Sequence, residues 1–293
     1  MTDDTDDTAG VTTELVALPV SDDITLNGAL WTPPGEVSDT AIALFHGTGA
    51  GFYYPLLAWL GPRLAAMGYM TLSLNRRDHS QFFGYYTLHD ASMDHAPAID
   101  LLCARGAKRV VPVGHSYGTV TAPYYVAQTD DARVPALVLI SALGDLRIGS
   151  VRMAGGQEPY DKLVAEARAH IAAGDGEDVF VNAPMVPGDK PLPHRWSIFL
   201  DKRGPDSKAV PAELIRHVGE RPLLAVRDPA DPFPATTPPA REMLEAANPR
   251  LDYVLLDDVR NGRTDEKAHG FNGREAELLT LMTGWLAEKG LGP

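Results

Sequence analysis

An α/β fold, with a mostly parallel sheet covered by helices on both faces, is what the sequence predicts. Three observations predict it. Short apolar runs of strand length, among them "AIALF" at 41–45, "RVVPVG" at 109–114 and "ALVLISAL" at 136–143, alternate with stretches of helical periodicity. Two of these runs open straight into glycine-bearing turns, "HGTGAG" and "GHSYG". The chain has 293 residues, 44% apolar and 22% charged, enough for a large core of ordinary globular composition.

The acidic opening "MTDDTDDTAG" reads as a solvated tail, and residues 1–13 are expected to be disordered. Two strands follow, "ELVALPV" and "ITLNGALW", joined by the polar turn "SDD". After the turn-rich "TPPGEVSD" comes the buried strand 41–45 and the loop "HGTGAG". Leu56, Leu57, Leu60 and Leu64 share a helical face that Gly61 and Pro62 threaten to break. "YMTLSLN" is the next strand, residues 90–105 the next helix, and "RVVPVG" a strand again. A helix is expected after "GHSYG", with Pro123 as its kink or stop, and then the strand 136–143.

The rhythm then breaks over residues 145–220, a stretch too long for a plain connection. It holds an amphipathic helix marked by Leu163, Val164, Ala167 and Ile171, the proline-rich "VNAPMVPGDKPLP", and "HRWSIFLDKRGPDS" with aromatics that read as exposed. The expectation is a cap or lid lying over the sheet, with 14–144 and 221–293 forming the core. Strand 222–227, a helix near 236–247, the strand "LDYVLL" and a final helix restore the alternation. Leu278, Leu279, Met282, Trp285 and Leu286 form the apolar stripe of that helix.

Composition narrows the function classes. Twenty-six basic against thirty-nine acidic side chains give a net charge of −13, which repels phosphate backbones and anionic lipid. No nucleic-acid or membrane partner is expected. Cys103 is the only cysteine, so no intrachain disulfide forms, and the start of the chain lacks the basic and apolar regions of a signal peptide. A cytoplasmic location is the expectation. The histidines are scattered without metal-ligand spacing, so neither metal nor cofactor is expected.

The turn "GHSYG" raises the central question, because a serine hydroxyl is a weak nucleophile without help. Ser116 stands between a strand and a helix with glycine two places away on each side, the pattern of a strained turn that lifts a hydroxyl out of the chain. A base is needed. Of nine histidines only His269, in the loop "KAHGFNG", lies beyond His217, and imidazole can take and return a proton near neutrality. A carboxylate must then orient that imidazole. "LLAVRDPADPFP" offers two just past a strand end, Asp231, deeper in the loop, and Asp228. Backbone N–H groups of Thr48, in "HGTGAG", and of Tyr117 are candidates for an oxyanion hole. "HGTGAG" lacks the Gly-Lys-Ser/Thr ending of a phosphate loop and the spacing of a dinucleotide fold.

The order Ser116, Asp231, His269, with the upstream His-Gly loop and the opening "ITLNGALWTPPG", resembles the α/β-hydrolase superfamily and its carboxylesterase-like members. The resemblance covers nearly the whole chain from about residue 14. It implies an eight-stranded, mostly parallel sheet whose second strand is antiparallel, with a cap inserted after strand 6. The Asp-Pro followed by Pro234 is similar to the family's acid loop and favours Asp231 over Asp228. One departure stands out: "LNRRDHS" occupies the place of "Asp-x-Arg-Gly-x-Gly-x-Ser", with Asp78 where glycine is usual. The expected function is hydrolysis of a small carboxylic ester, lactone or thioester through an acyl-enzyme on Ser116, with no cofactor. The partner is a small-molecule acyl substrate. Tyr53, Tyr54, Trp196 and Phe199 are candidates for an apolar substrate pocket. The same parts would also serve an acyltransferase, or a receptor-like protein that binds and barely turns over.

Overall fold

The computed structural model describes residues 7–20, 24–181, 191–233 and 240–293. Ten strands are described: β1 (Thr12–Pro19), β2 (Thr25–Thr32), β3 (Thr40–Phe45), β4 (Thr71–Leu74), β5 (Arg109–His115), β6 (Leu137–Ile140), β7 (Val179–Val181), β8 (Pro193–Arg195), β9 (Leu223–Arg227) and β10 (Leu251–Leu255). Eight of them form one sheet in the order β1-β2-β4-β3-β5-β6-β9-β10. β2 runs antiparallel to both β1 and β4, and every other pairing from β4 to β10 is parallel. That is the expected eight-stranded sheet with an antiparallel second strand.

The central strands read as continuous apolar runs because both their faces are covered. β3 is buried at every position, and so is β6. Alternate residues feed two cores. Ala41, Ala43 and Phe45 pack with Leu72, Leu102 and Tyr125 on one face. Ile42 and Leu44 pack with Leu57, Val113, Phe271 and Trp285 on the other.

The helices are α1 (Pro55–Ala66), α2 (Leu88–Met93), α3 (His95–Ala104), α4 (Gly118–Thr129), α5 (Leu146–Met153), α6 (Gln157–Ala173), α7 (Trp196–Arg203), α8 (Pro211–Leu214), α9 (Ala240–Ala247) and α10 (Glu275–Glu288). Three differ from the sequence expectation. α1 runs unbroken through Gly61 and Pro62. Gly61 is there for contact: a Cβ on it would lie 2.3 Å from the Trp31 ring. The single helix expected over 90–105 is two, divided at Asp94. Pro97 lacks an amide proton and its ring would clash with the carbonyl of Met93, so the chain turns before it. α4 continues past Pro123 to Thr129.

β1 begins at Thr12, inside the stretch expected to be tail. The turn before it is tied down as well, since Asp7 accepts from Arg63 Nε at 2.9 Å. The helix expected near 236–247 is described from Ala240 onward, and residues 234–239 lie outside the described residues, as does most of "VNAPMVPGDKPLP".

Between β6 and β9 the chain builds α5 to α8 and the small antiparallel pair β7-β8. This segment has an apolar centre of its own, made of Tyr160, Val164, Ala167, Trp196 and Phe199. The aromatics of "HRWSIF" that read as exposed are therefore buried, Trp196 at 6% and Phe199 at 1% exposure. α7 turns them onto α6, a neighbour that local sequence does not announce.

Candidate active site

Ser116 sits on the turn from β5 into α4, with φ of 54°, a left-handed backbone that costs a side-chain-bearing residue roughly 1–3 kcal/mol. Both flanking glycines are required by close backbone approach. A Cβ on Gly114 would stand 2.2 Å from Gly118 O, and one on Gly118 would stand 2.5 Å from Phe45 O. The Ser116 N–H donates to Ile140 O on β6 at 2.9 Å, and its carbonyl accepts from the Thr119 N–H and hydroxyl at 2.8 and 2.6 Å. The turn is thus held from the sheet below and from the helix ahead.

His269 lies in a 3-10 turn, Glu266–Gly270, ahead of α10. Its carbonyl accepts two hydrogen bonds at 2.8 Å, from His115 Nε2 and from Ser141 Oγ. These donors stand beside Ser116 and at the end of β6, so the histidine loop is pinned across the C-terminal edge of the sheet. The His269 and His115 ring centroids are 5.0 Å apart. Donation to a carbonyl places a proton on His115 Nε2. Burial, and after it the nearby His269, push the His115 pKa down to about 3, which keeps this ring neutral.

Asp231 is fully enclosed and is the carboxylate that meets the imidazole. His269 Nδ1 donates to its Oδ2 at 2.9 Å, and the Phe233 N–H donates to its Oδ1 at 2.8 Å. Arg227 Nη2 holds the Asp231 carbonyl at 2.8 Å, and the Phe233 ring stacks on His269 with centroids 4.3 Å apart. Asp228 faces elsewhere: it accepts from the Ala230 N–H at 2.9 Å and pairs with Arg274 at 3.4 Å. The Asp231 contact leaves His269 Nε2 as the nitrogen available to another partner. Among the described residues no hydrogen bond joins it to Ser116 Oγ.

The loop after β3 passes directly over the serine. A Cβ on Gly47 would lie 2.9 Å from Ser116 Cβ, so only glycine fits. The N–H groups of Thr48 and Tyr117 donate to no acceptor among the described residues. Thr48 follows Gly47 in the loop over the serine, and Tyr117 follows the serine itself.

The loop is anchored by a buried polar chain. His46 Nδ1 donates to Gly47 O at 2.8 Å, and His46 Nε2 accepts from the Arg76 N–H at 3.1 Å. Burial, then Arg76, bring the His46 pKa to about 3, in keeping with a neutral ring that donates at one nitrogen and accepts at the other. The Arg76 guanidinium donates to His46 O at 2.8 Å and to Asp78 Oδ1 at 3.1 Å. Burial raises the Asp78 carboxyl, but Arg76 and Lys202 outweigh it and hold the pKa below the ordinary carboxylate range.

The expected pocket residues stand in different surroundings. Tyr53 is 60% exposed on its loop, with its hydroxyl 3.2 Å from Ser80 Oγ. Tyr54 stacks on His115, centroids 5.0 Å apart. Trp196 and Phe199 are corrected from pocket lining to interior packing: Trp196 stacks on Phe180 at 3.8 Å, and Phe199 meets the same ring edge-on. Sequence reading missed His115, Ser141, Phe233 and Arg227, all of which hold the loops of Asp231 and His269. Only His115 carried a signal, its place inside "GHSYG". Among the described residues no group of histidines, cysteines and acids is placed to hold a metal, and no helix is long and apolar enough to cross a membrane.

The family model of the alpha/beta hydrolase family matches residues 42–274. Solved structures with the same architecture include Est1E from Butyrivibrio proteoclasticus with ferulic acid bound, at 15% identity and a TM-score of 0.63, covering 93% of this chain and 98% of that one. The esterase Pf2001 of Pyrococcus furiosus aligns at 15% identity and 0.62, covering 94% and 91% of the two chains. The siderophore hydrolase EstB of Aspergillus fumigatus aligns at 14% and 0.64, covering 93% and 98%. No curated protein matches the sequence.

Proposed function

The chain belongs to the alpha/beta hydrolase family, and on that premise we propose that it is a serine hydrolase of small carboxylic esters. The observation that carries the reading is the Asp231–His269 pair, bonded at 2.9 Å on the same sheet edge as a serine whose backbone is held in the left-handed region. The N–H groups of Thr48 and Tyr117 donate to no acceptor among the described residues, and the fold neighbours include a named esterase and a named siderophore hydrolase.

Ser116 Oγ attacks the ester carbonyl while its proton passes to His269 Nε2. Asp231 holds Nδ1–H, fixing the tautomer and stabilising the imidazolium. The carbonyl oxygen becomes an oxyanion held by the N–H groups of Thr48 and Tyr117, each such donor being worth roughly 3 kcal/mol. Collapse expels the alcohol, which takes its proton from His269. Water repeats the sequence on the acyl-enzyme, with the imidazole as base. A lactone or thioester carbonyl fits the same steps. In this reading the segment at 145–220 caps the catalytic edge, which is supported by its attachment to the loop after β4: the Arg195 N–H donates to Gly84 O at 2.9 Å.

Turnover of p-nitrophenyl acetate and butyrate tests the proposal. The parent protein hydrolyses them and labels with a fluorophosphonate, and Ser116→Ala loses about 10⁴-fold or more in kcat together with the label. Undiminished turnover or labelling in that variant sinks it.

A further inference from the structure

A buried side chain of the insertion is linked to the loop over the serine by a chain of hydrogen bonds. Lys202, on α7, is wholly enclosed, and its Nζ donates to Asp78 Oδ2 at 3.0 Å and to Phe83 O at 2.7 Å. Asp78 passes the contact to Arg76, and Arg76 to the backbone and ring of His46, the residue before Gly47 and Thr48. The same ammonium stands 4.1 Å from the Phe83 ring centroid and 5.2 Å from that of Tyr117, and Phe83 packs edge-on against Tyr117 at 4.8 Å. Tyr117 supplies the second candidate oxyanion donor. One group therefore bears on both arms of the hole.

Packing does not call for a charge there. An apolar side chain of similar length would fill the space, and buried ion pairs often stabilise no better than apolar replacements. An ammonium with two fixed acceptors does set the positions of its partners in a way an apolar group cannot.

We propose that Lys202 is a positioning residue for the oxyanion hole, tying the loop of Thr48 and the turn of Tyr117 to the insertion through Asp78, Arg76 and Phe83. The proposal rests on the hydrolase reading above. It also gives the buried Asp78 a physical task.

The test compares the parent, Lys202→Met and Asp78→Asn on p-nitrophenyl acetate, an ester small enough to need little from the insertion. Folding is monitored by circular dichroism. The expected result for Lys202→Met is a kcat lowered about 10- to 100-fold with KM changed less than about threefold, because a misplaced donor weakens the transition state more than the ground state. Affinity for an alkyl boronic acid, which forms a tetrahedral adduct on the serine, falls in parallel. Asp78→Asn moves both readouts in the same direction, and the double variant is no worse than the poorer single one, since the residues act in one chain. A folded Lys202→Met or Asp78→Asn with parental kcat overturns the proposal, even if its melting temperature has dropped. Loss of fold in both variants also overturns it, since the network would then serve the fold rather than the loop. A parent inactive on every ester overturns the hydrolase reading, and this inference with it.

Discussion

Asp228 and Asp231 share one loop, yet their neighbours give them different tasks. Asp231 receives His269 Nδ1–H, while Asp228 closes a turn and meets Arg274. Asp231→Asn is expected to lower kcat by about 10⁴-fold through the wrong imidazole tautomer. Asp228→Asn should stay within about tenfold, its amide oxygen still able to cap the turn. Paired kcat measurements on the two variants decide, and equal losses would refute the assignment. Gly47 is a second test at this scale. The Cβ of Gly47→Ala would meet Ser116 Cβ at 2.9 Å, so the loop must move away and take Thr48 N–H with it. A loss of about 10²-fold in kcat, with little change in KM, is the expected outcome. Ser116, His269 and the two aspartates were legible in the sequence because their motifs are local. His115, Ser141 and Lys202 were not, because their partners lie on other strands and helices.

Elements were legible wherever periodicity and punctuation agreed. The strands of the sheet and the stripe of α10 fall close to their expected places. Expectation failed where one residue served a distant contact: Gly61 reads as a breaker but admits the Trp31 ring, and Asp94 reads as helix interior but accepts from the Arg77 backbone at 2.6 Å. Trp196 and Phe199 departed from the expected pocket for a similar reason, since an aromatic side chain looks the same in sequence whether it lines a cavity or fills a core. This yields a prediction for the insertion. Trp196 packs among Phe180, His170 and Phe199, so Trp196→Ala should cost the segment about 3–5 kcal/mol. Hydrogen exchange should then rise across α6 and α7 while β3, β5 and β6 keep their protection. Uniform loss of protection would show that the insertion and the sheet unfold as one unit.

Across the whole molecule, several imidazoles are sealed in neutral form. Burial first, and then Arg76 beside His46, His269 beside His115 and Arg203 beside His194, bring these three pKa values to about 3, and burial followed by Arg76 lowers His95 well below the ordinary value. The unfolded chain protonates these rings near 6.5, while the folded chain leaves them neutral to far lower pH. The unfolded state therefore binds more protons throughout that window. Stability is full above about pH 6.5 and declines as pH falls toward 3, by about 1.4 kcal/mol per pH unit for each ring. Urea midpoints taken at pH 7, 6 and 5 should fall steadily, and His194→Gln should make the slope shallower. A midpoint independent of pH across this range would contradict the burial of neutral rings.

The alternation of strand and helix and the Gly-x-Ser-x-Gly pattern are properties of short segments, and the order of serine, acid and histidine is written along the chain before it folds. Periodicity needs only neighbours a few residues away. Which aspartate meets the imidazole, which aromatics face inward, and that a lysine of the insertion reaches the loop over the serine depend on groups far apart in sequence. Those contacts exist only once the sheet has brought β3, β4, β5, β6 and β9 side by side and α7 has closed on the loop after β4.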